Sequence, residues 1–201
     1  MTNWKWLICA ALTTFLFSCE DLPDDNPAGG KEVIEDVLSI NEIMQSNIDC
    51  IMDDLNEFPD SWFELYNSSD ETVKLDNYSV GLSENVVDSY HLPSSIIGPH
   101  SFVLVYCDKE AKGLHTDFRI DSGKGELYLF KKGTVCDYVS LKKQPAPNIS
   151  FGRQNEQSDK WGYQLESTPE HQNCGSLAKD ILTKPIIETN NAILLGGGHF
   201  F

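Results

Sequence analysis

The stretch SWFELYNSSDETVKLDNYSV, from Ser61 to Val80, alternates large and polar side chains, breaks at Asn67-Ser68-Ser69-Asp70 and then alternates again. Period-two alternation punctuated by turn residues marks paired β-strands, and it restricts the fold more than any other feature of the chain. The same texture recurs in VLSINEIM, HSFVLVYC, GELYLFKKG and TVCDYVSL, where Val, Ile, Leu, Phe and Tyr are concentrated. No long amphipathic helical repeat competes with these segments, so an all-β sandwich is expected. HSFVLVYC is the most continuously apolar of them and is expected to be a central strand. GELYLFKKGTVCDYVSL reads as a hairpin that turns at Lys131-Lys132-Gly133.

Side-chain parity adds detail. Phe63 and Leu65 share one face, while Trp62, Glu64 and Tyr66 share the other. Beyond the turn, Val73 and Leu75 have one parity, but Tyr78, Val80 and Leu82 have the opposite one. One extra residue reverses the facing of everything after it, so the slip at Asp76-Asn77 predicts a bulge or a strand that changes sheets.

The N-terminus reads differently. MTNWKWLICAALTTFLFS places Lys5 before an apolar run from Trp6 to Phe17 and ends on small Ser18 before Cys19, the layout of an export signal. The run is short for a mature span, which takes roughly 20 apolar residues. Leu16-Phe17-Ser18-Cys19 resembles a bacterial lipobox, which implies cleavage before Cys19 and lipid, palmitate included, on its thiol and amine; Phe17 is an atypical middle residue. A plain secretory signal followed by a structural cysteine is the alternative. After Cys19, EDLPDDNPAGGKE is acidic and rich in Pro and Gly, with too little apolar surface to offset the entropy of ordering. Residues 19–36 are expected to form a flexible tether. Glu20, Asp21, Asp24 and Asp25 resemble the surface-export signal of some Gram-negative lipoproteins, the alternative being a solvated spacer. The expected location is thus the outer membrane, facing outward, with the N-terminal lipid as the membrane contact.

Charge narrows the partners. The net charge of −16 over 201 residues, with 31 Asp and Glu against 15 Lys and Arg, repels a polyanion, so nucleic acid is not an expected partner. A protein or glycan is the partner class left open.

Several ordered words resemble the lamin-tail domain, an immunoglobulin-like sandwich of nuclear lamins and many bacterial exported proteins. They are LSINEIMQSN, DSWFELYNSSDETVKLDNYSVGLS, IIGPHSFVLVYCD, HTDFRIDSGKGELYLFKKG, the ISFGR of Ile149 to Arg153 and the STPEHQN of Ser167 to Asn173. The resemblance covers about residues 37–174 and implies a binding, tethering or spacer module without catalytic residues or cofactors. It also implies Gly after the Thr-Pro, where this chain carries Glu170, so the closing turn is a point of departure. Bacterial members often precede other domains. The alternative reading is therefore an accessory domain of a larger kinase-like or hydrolase lipoprotein, or a carbohydrate-binding module. Residues 175–201 read as a linker followed by the opening of a further β-module, against a terminal strand that docks on the sandwich.

The remaining constellations are sparse. The acidic loop NIDCIMDDLNEFPD offers Asp49, Asp53 and Asp54 as oxygen ligands of the kind Ca²⁺ takes, without EF-hand spacing; a solvated acidic loop is the competing reading. His91, His100, His115, His171 and His199 are scattered singly and read as surface or satisfied-core histidines. No GxSxG elbow or phosphate loop occurs, so catalytic residues are none, and Lys131, Lys132, Lys142 and Lys143 read as strand-edge protection. Trp62, Tyr66 and Trp161 are candidates for stacking on sugar faces, or else core. Cys50, Cys107, Cys136 and Cys174 allow three full pairings, among which the sequence does not choose, and four reduced thiols are the alternative.

Overall fold

The computed structural model describes residues 31–156, 158–164 and 166–173, together with the backbone of Leu177–Ala178. The signal segment 1–18, Cys19, most of the tether, Cys174 and the tail beyond 178 lie outside the described residues. In chain order the strands are β1 (Leu38–Met44), β2 (Ser61–Asn67), β3 (Val73–Lys74), β4 (Tyr78–Gly81), β5 (Tyr90–His91), β6 (Ile96–Ile97), β7 (Phe102–Cys107), β8 (Glu126–Lys131), β9 (Thr134–Ser140), β10 (Ser150–Arg153), β11 (Trp161–Gln164) and β12 (Leu177–Ala178). They form a six-stranded sheet ordered β12-β11-β10-β1-β2-β7, a four-stranded sheet ordered β5-β4-β8-β9 and a small ladder of β3 with β6. The named pairings are antiparallel.

One apolar cluster joins the two large sheets. Ile40, Ile43, Phe63, Leu65 and Val105 reach it from the first, and Tyr78, Val80, Leu127, Leu129 and Val139 from the second. This is the β-sandwich expected from the alternation, in the immunoglobulin-like form that the resemblance implies. Ile40 and Ile43 face the same core although they are three positions apart, because the β1–β2 register shifts between Ile40 and Glu42 and turns Asn41 into a bulge. From there on the register sets Glu42 opposite Glu64 and Met44 opposite Trp62.

The parity slip has the predicted cause. Leu75–Asn77 form a short 3₁₀ turn, after which the chain leaves the β3–β6 ladder and enters the four-stranded sheet as β4, so Leu75, Tyr78 and Val80 all reach the core. The hairpin of β8 and β9 turns on Lys132-Gly133 with φ of 49° and 88°, the two positive values of a type I′ turn. In the closing segment Glu170 has φ 62°, the left-handed backbone that glycine favours.

Two expectations are corrected. HSFVLVYC is β7, an edge strand of the six-stranded sheet rather than a central one. It reads as central because both its faces are packed, Val103, Val105 and Cys107 on the main core and Leu104 and Tyr106 on a second cluster. Its outer edge is also partly covered, since Tyr106 N donates to Leu114 O and Thr116 N to Tyr106 O, each at 2.8 Å. The sandwich, moreover, extends beyond its expected limits. Ile34 packs on the core with its N–H on Val135 O, inside the segment expected to be tether, and β12 pairs with β11 inside the segment expected to be linker.

Candidate functional site

The sugar-stacking candidates do not form a platform. Trp62 is fully buried against Met44 and Leu104, and Tyr66 is 8% exposed with its ring 4.8 Å from Phe102, so neither presents a face to a ligand. The face they share with Glu64, solvent-exposed by simple alternation, is covered by the loop before β2 and by the segment after β11. Trp161 is half-buried, and its ring is engaged by Phe151 at 5.4 Å and by the Arg153 guanidinium at 5.0 Å.

Cys50, Cys107 and Cys136 are free thiols, the reduced alternative for these three. Burial pushes the Cys107 thiol far up and Cys136 to about 12, so neither is a thiolate at neutral pH. Cys50, half-buried, lies 2.8 Å from Ser167 Oγ.

Beneath the closing segment lies a polar network in which Glu42 and Glu64, neighbours across β1 and β2, are both fully buried. Glu42 accepts from Ser150 Oγ and from the backbone N–H and hydroxyl of Thr168. Glu64 accepts from Asn41 Nδ2 at 2.9 Å and from Glu170 N at 2.5 Å. Asn173 Nδ2 completes the lock by donating to Arg153 O at 2.8 Å. Gly152 makes room for it, because a Cβ there would come within 2.5 Å of Gln164 Nε2 and 3.1 Å of Asn173 Nδ2. The two carboxylates therefore hold Thr168 to Asn173 across the sheet.

Burial raises both carboxyl pKa values, Glu64 to about 8, with the Glu42 charge across the strand adding to that rise. The unfolded chain releases the Glu64 proton from about pH 4.5, whereas the folded chain keeps it to about pH 8, so stability falls as pH rises through that window. The unfolding midpoint is expected to decrease steadily from about pH 5 to 8 and then level off. Glu64→Gln should flatten the part between about pH 5 and 6.5, where His115 does not yet titrate in the unfolded chain. A flat wild-type profile there would contradict the assignment.

The acidic loop divides. Asp49 Oδ1 accepts from Asn148 Nδ2, away from the other two candidates. Asp53 Oδ1 takes the N–H groups of Leu55 and Glu57, each at 2.9 Å, and so shapes the loop tip. Asp54 Oδ1 lies 2.9 Å from His115 Nε2, whose Nδ1 lies 2.6 Å from Asp108 Oδ2. His115 is 6% exposed, and its ring packs 4.9 Å from that of Tyr106. Burial opposes its charge, but the bonds to Asp108 and Asp54 outweigh that and raise its pKa above the ordinary imidazole value. Beside it opens a groove of about 360 Å³ lined by Leu55, Leu104, Tyr106, Lys112, His115 and Glu170.

His115 thus matches the satisfied-core expectation, but its partners Asp54 and Asp108 did not stand out as a group in the sequence, nor did the Glu42–Glu64 pair. A signal for the latter exists: Glu64 shares strand parity with Trp62 and Tyr66, and a carboxylate between two large aromatics on one face points to a covered face. Among the described residues no helix is long and apolar enough to cross a membrane.

No curated protein and no solved structure matches the chain. The family model of the Lamin Tail Domain, a non-catalytic immunoglobulin-like domain, matches residues 35–143, from just before β1 to just past β9. That span is more than half of the 201 residues and contains the β1–β2 pair, the sheet-changing 3₁₀ turn and the β8–β9 hairpin. The chain belongs to the lamin tail domain family.

Proposed function

We propose that this protein is a non-enzymatic lipoprotein, anchored through lipid on Cys19 and displayed on the outer surface, whose lamin-tail sandwich serves as a binding, tethering or spacer module. The observation that carries the non-enzymatic part is the use made of the buried ionisable side chains. Glu42 and Glu64 hold the closing segment, and Arg153 and Asp137 join the sheets. Groups committed to internal bonds hold a scaffold rigid; a general acid or base has to face its substrate. The lipobox-like Leu16-Phe17-Ser18-Cys19 and the acidic residues Glu20, Asp21, Asp24 and Asp25 support the anchor and its outward placement.

The test is fractionation. Wild-type chain expressed with its own N-terminus should partition with membranes and incorporate labelled palmitate, and Cys19→Ser should move to the soluble fraction without label. Membrane retention of Cys19→Ser, together with unlabelled wild type, would remove the anchor from the proposal. Digestion of intact cells with protease should degrade the wild-type chain if it faces outward, and protection of the chain would place it inside.

A further inference from the structure

Part of the β7 backbone has no use inside the sandwich. Asn67 N donates to Ser101 O at 3.0 Å, so Leu65–Val103 and Phe63–Val105 are the bonded pairs of the antiparallel ladder. Phe102, Leu104 and Tyr106 therefore turn their N–H and C=O groups to the outer edge. Tyr106 uses both, on Leu114 O and Thr116 N. Among the described residues none bonds to the backbone groups of Phe102 and Leu104. Such an edge is a template for another extended chain, and folded proteins blunt it with a charge, a proline or a bulge. Between Phe102 and Cys107, β7 has none of these.

The groove beside His115 lies along this edge. Val103 and Leu104 point to opposite faces of the sheet and yet both line it, which places it against the strand backbone between them. Leu114 and the 53% exposed Leu55 extend its apolar wall. Its rim carries Asp54, Glu110 and Glu170 against Lys112. With Asp108 behind His115, the carboxylates outnumber the cations even when the imidazole is charged. The Tyr106 hydroxyl reports the same field: burial raises its pKa, and the charges of Glu170, Asp53 and Asp54 raise it further.

We propose that the β7 edge from Phe102 to Leu104, with this groove, binds an extended cationic segment of a partner protein as an added strand. An aliphatic side chain of that segment packs against Leu55 and Leu114, and its Lys or Arg side chains meet Glu110 and Glu170. The proposal rests on the binding-module reading above and gives that module its partner class. Main-chain bonds to the edge supply affinity, while the apolar wall and acidic rim select the side chains. A second copy of this chain is a poor occupant, because it brings a net charge of −16 and the same acidic rim to the contact.

The test uses the full chain in detergent and a fluorescently labelled heptapeptide, Lys-Val-Lys-Leu-Lys-Val-Lys, with blocked ends. One control is the same peptide N-methylated at alternate residues, which keeps charge and side chains but removes the edge hydrogen bonds. The other has glutamate in place of lysine. The basic peptide should bind saturably, about tenfold or more tighter than either control, and should slow hydrogen exchange at the amides of Phe102 and Leu104. Glu110→Lys combined with Glu170→Lys, both at exposed positions, should weaken binding by about tenfold. If that variant melts earlier than wild type, the N-methylated control decides alone. Absence of saturable binding, equal affinity for the N-methylated peptide, protection at the β5 or β9 edge instead, undiminished affinity in a stable double variant, or dimerisation of the chain through β7 would each overturn the proposal. The anchor is decided separately by the fate of Cys19→Ser, so a failure here is distinguishable from a failure there.

Discussion

Arg153→Ala is expected to destabilise the fold by about 3–5 kcal/mol, the range for removing one partner of a buried ion pair. Arg153 is 9% exposed and bonds three ways: Nε to Ile40 O at 2.7 Å, Nη1 to Ser158 O at 2.9 Å and Nη2 to Asp137 Oδ2 at 2.9 Å. Asp137 belongs to the four-stranded sheet, while Arg153 and Ile40 belong to the six-stranded one, so the guanidinium joins the two layers through the Asp137 carboxylate. Burial already raises the Asp137 pKa despite the adjacent Arg153. Without the arginine, Asp137 must either stay charged without a counterion or take up a proton, and Ile40 O loses its donor. Asp137→Asn keeps an acceptor for Ile40 N, so combining it with Arg153→Met should destabilise less than the two single changes added together. Urea midpoints for wild type, the three single variants and the double measure this. A loss within about 1 kcal/mol for Arg153→Ala would mean that the pair is as weak as a surface one.

The local parts of the fold were legible because their causes lie close in sequence. The type I′ turn at Lys132-Gly133 needs only neighbouring residues, and the sheet change at Leu75–Asn77 left its mark as reversed parity between Leu75 and Tyr78. What failed depended on partners far along the chain. Trp62, Glu64 and Tyr66 alternate as a solvent-facing row should. That face is covered nonetheless by Cys50 and Ile51 from one side and by Thr168 to Asn173, roughly a hundred residues away, from the other. Continuous apolarity in β7 signalled burial on two faces correctly, but two-faced burial does not require a central position when loops cover the outer face. For His115 the residue was visible and its role was not, since Asp54 lies 61 residues away and joins it only when the loop tip folds back over β7.

Trp62→Ala should be the other severe variant, at about 3–5 kcal/mol, because removal of a fully buried aromatic leaves a cavity that a rigid sheet closes poorly. Trp62 pairs with Met44 in register and packs on Leu104, with Cys50, Ile51 and Tyr106 closing over it. That cover is itself rigid: the Asn47 side chain accepts from Cys50 N and Ile51 N and donates to Ile51 O and Pro59 O, which fixes the loop as a lid. One flaw tempers the loss, since the indole Nε1 is buried without a hydrogen-bond partner, a state that costs about 1–3 kcal/mol. Trp62→Phe removes that orphan donor along with part of the ring, so it should lose less than half of what alanine loses. The ordering wild type, then phenylalanine, then alanine in urea midpoint is the readout, and it separates a core role from a ligand platform. A surface-stacking tryptophan would leave all three midpoints together and abolish glycan retention in both variants. A buried one moves the midpoints and gives no glycan retention to lose.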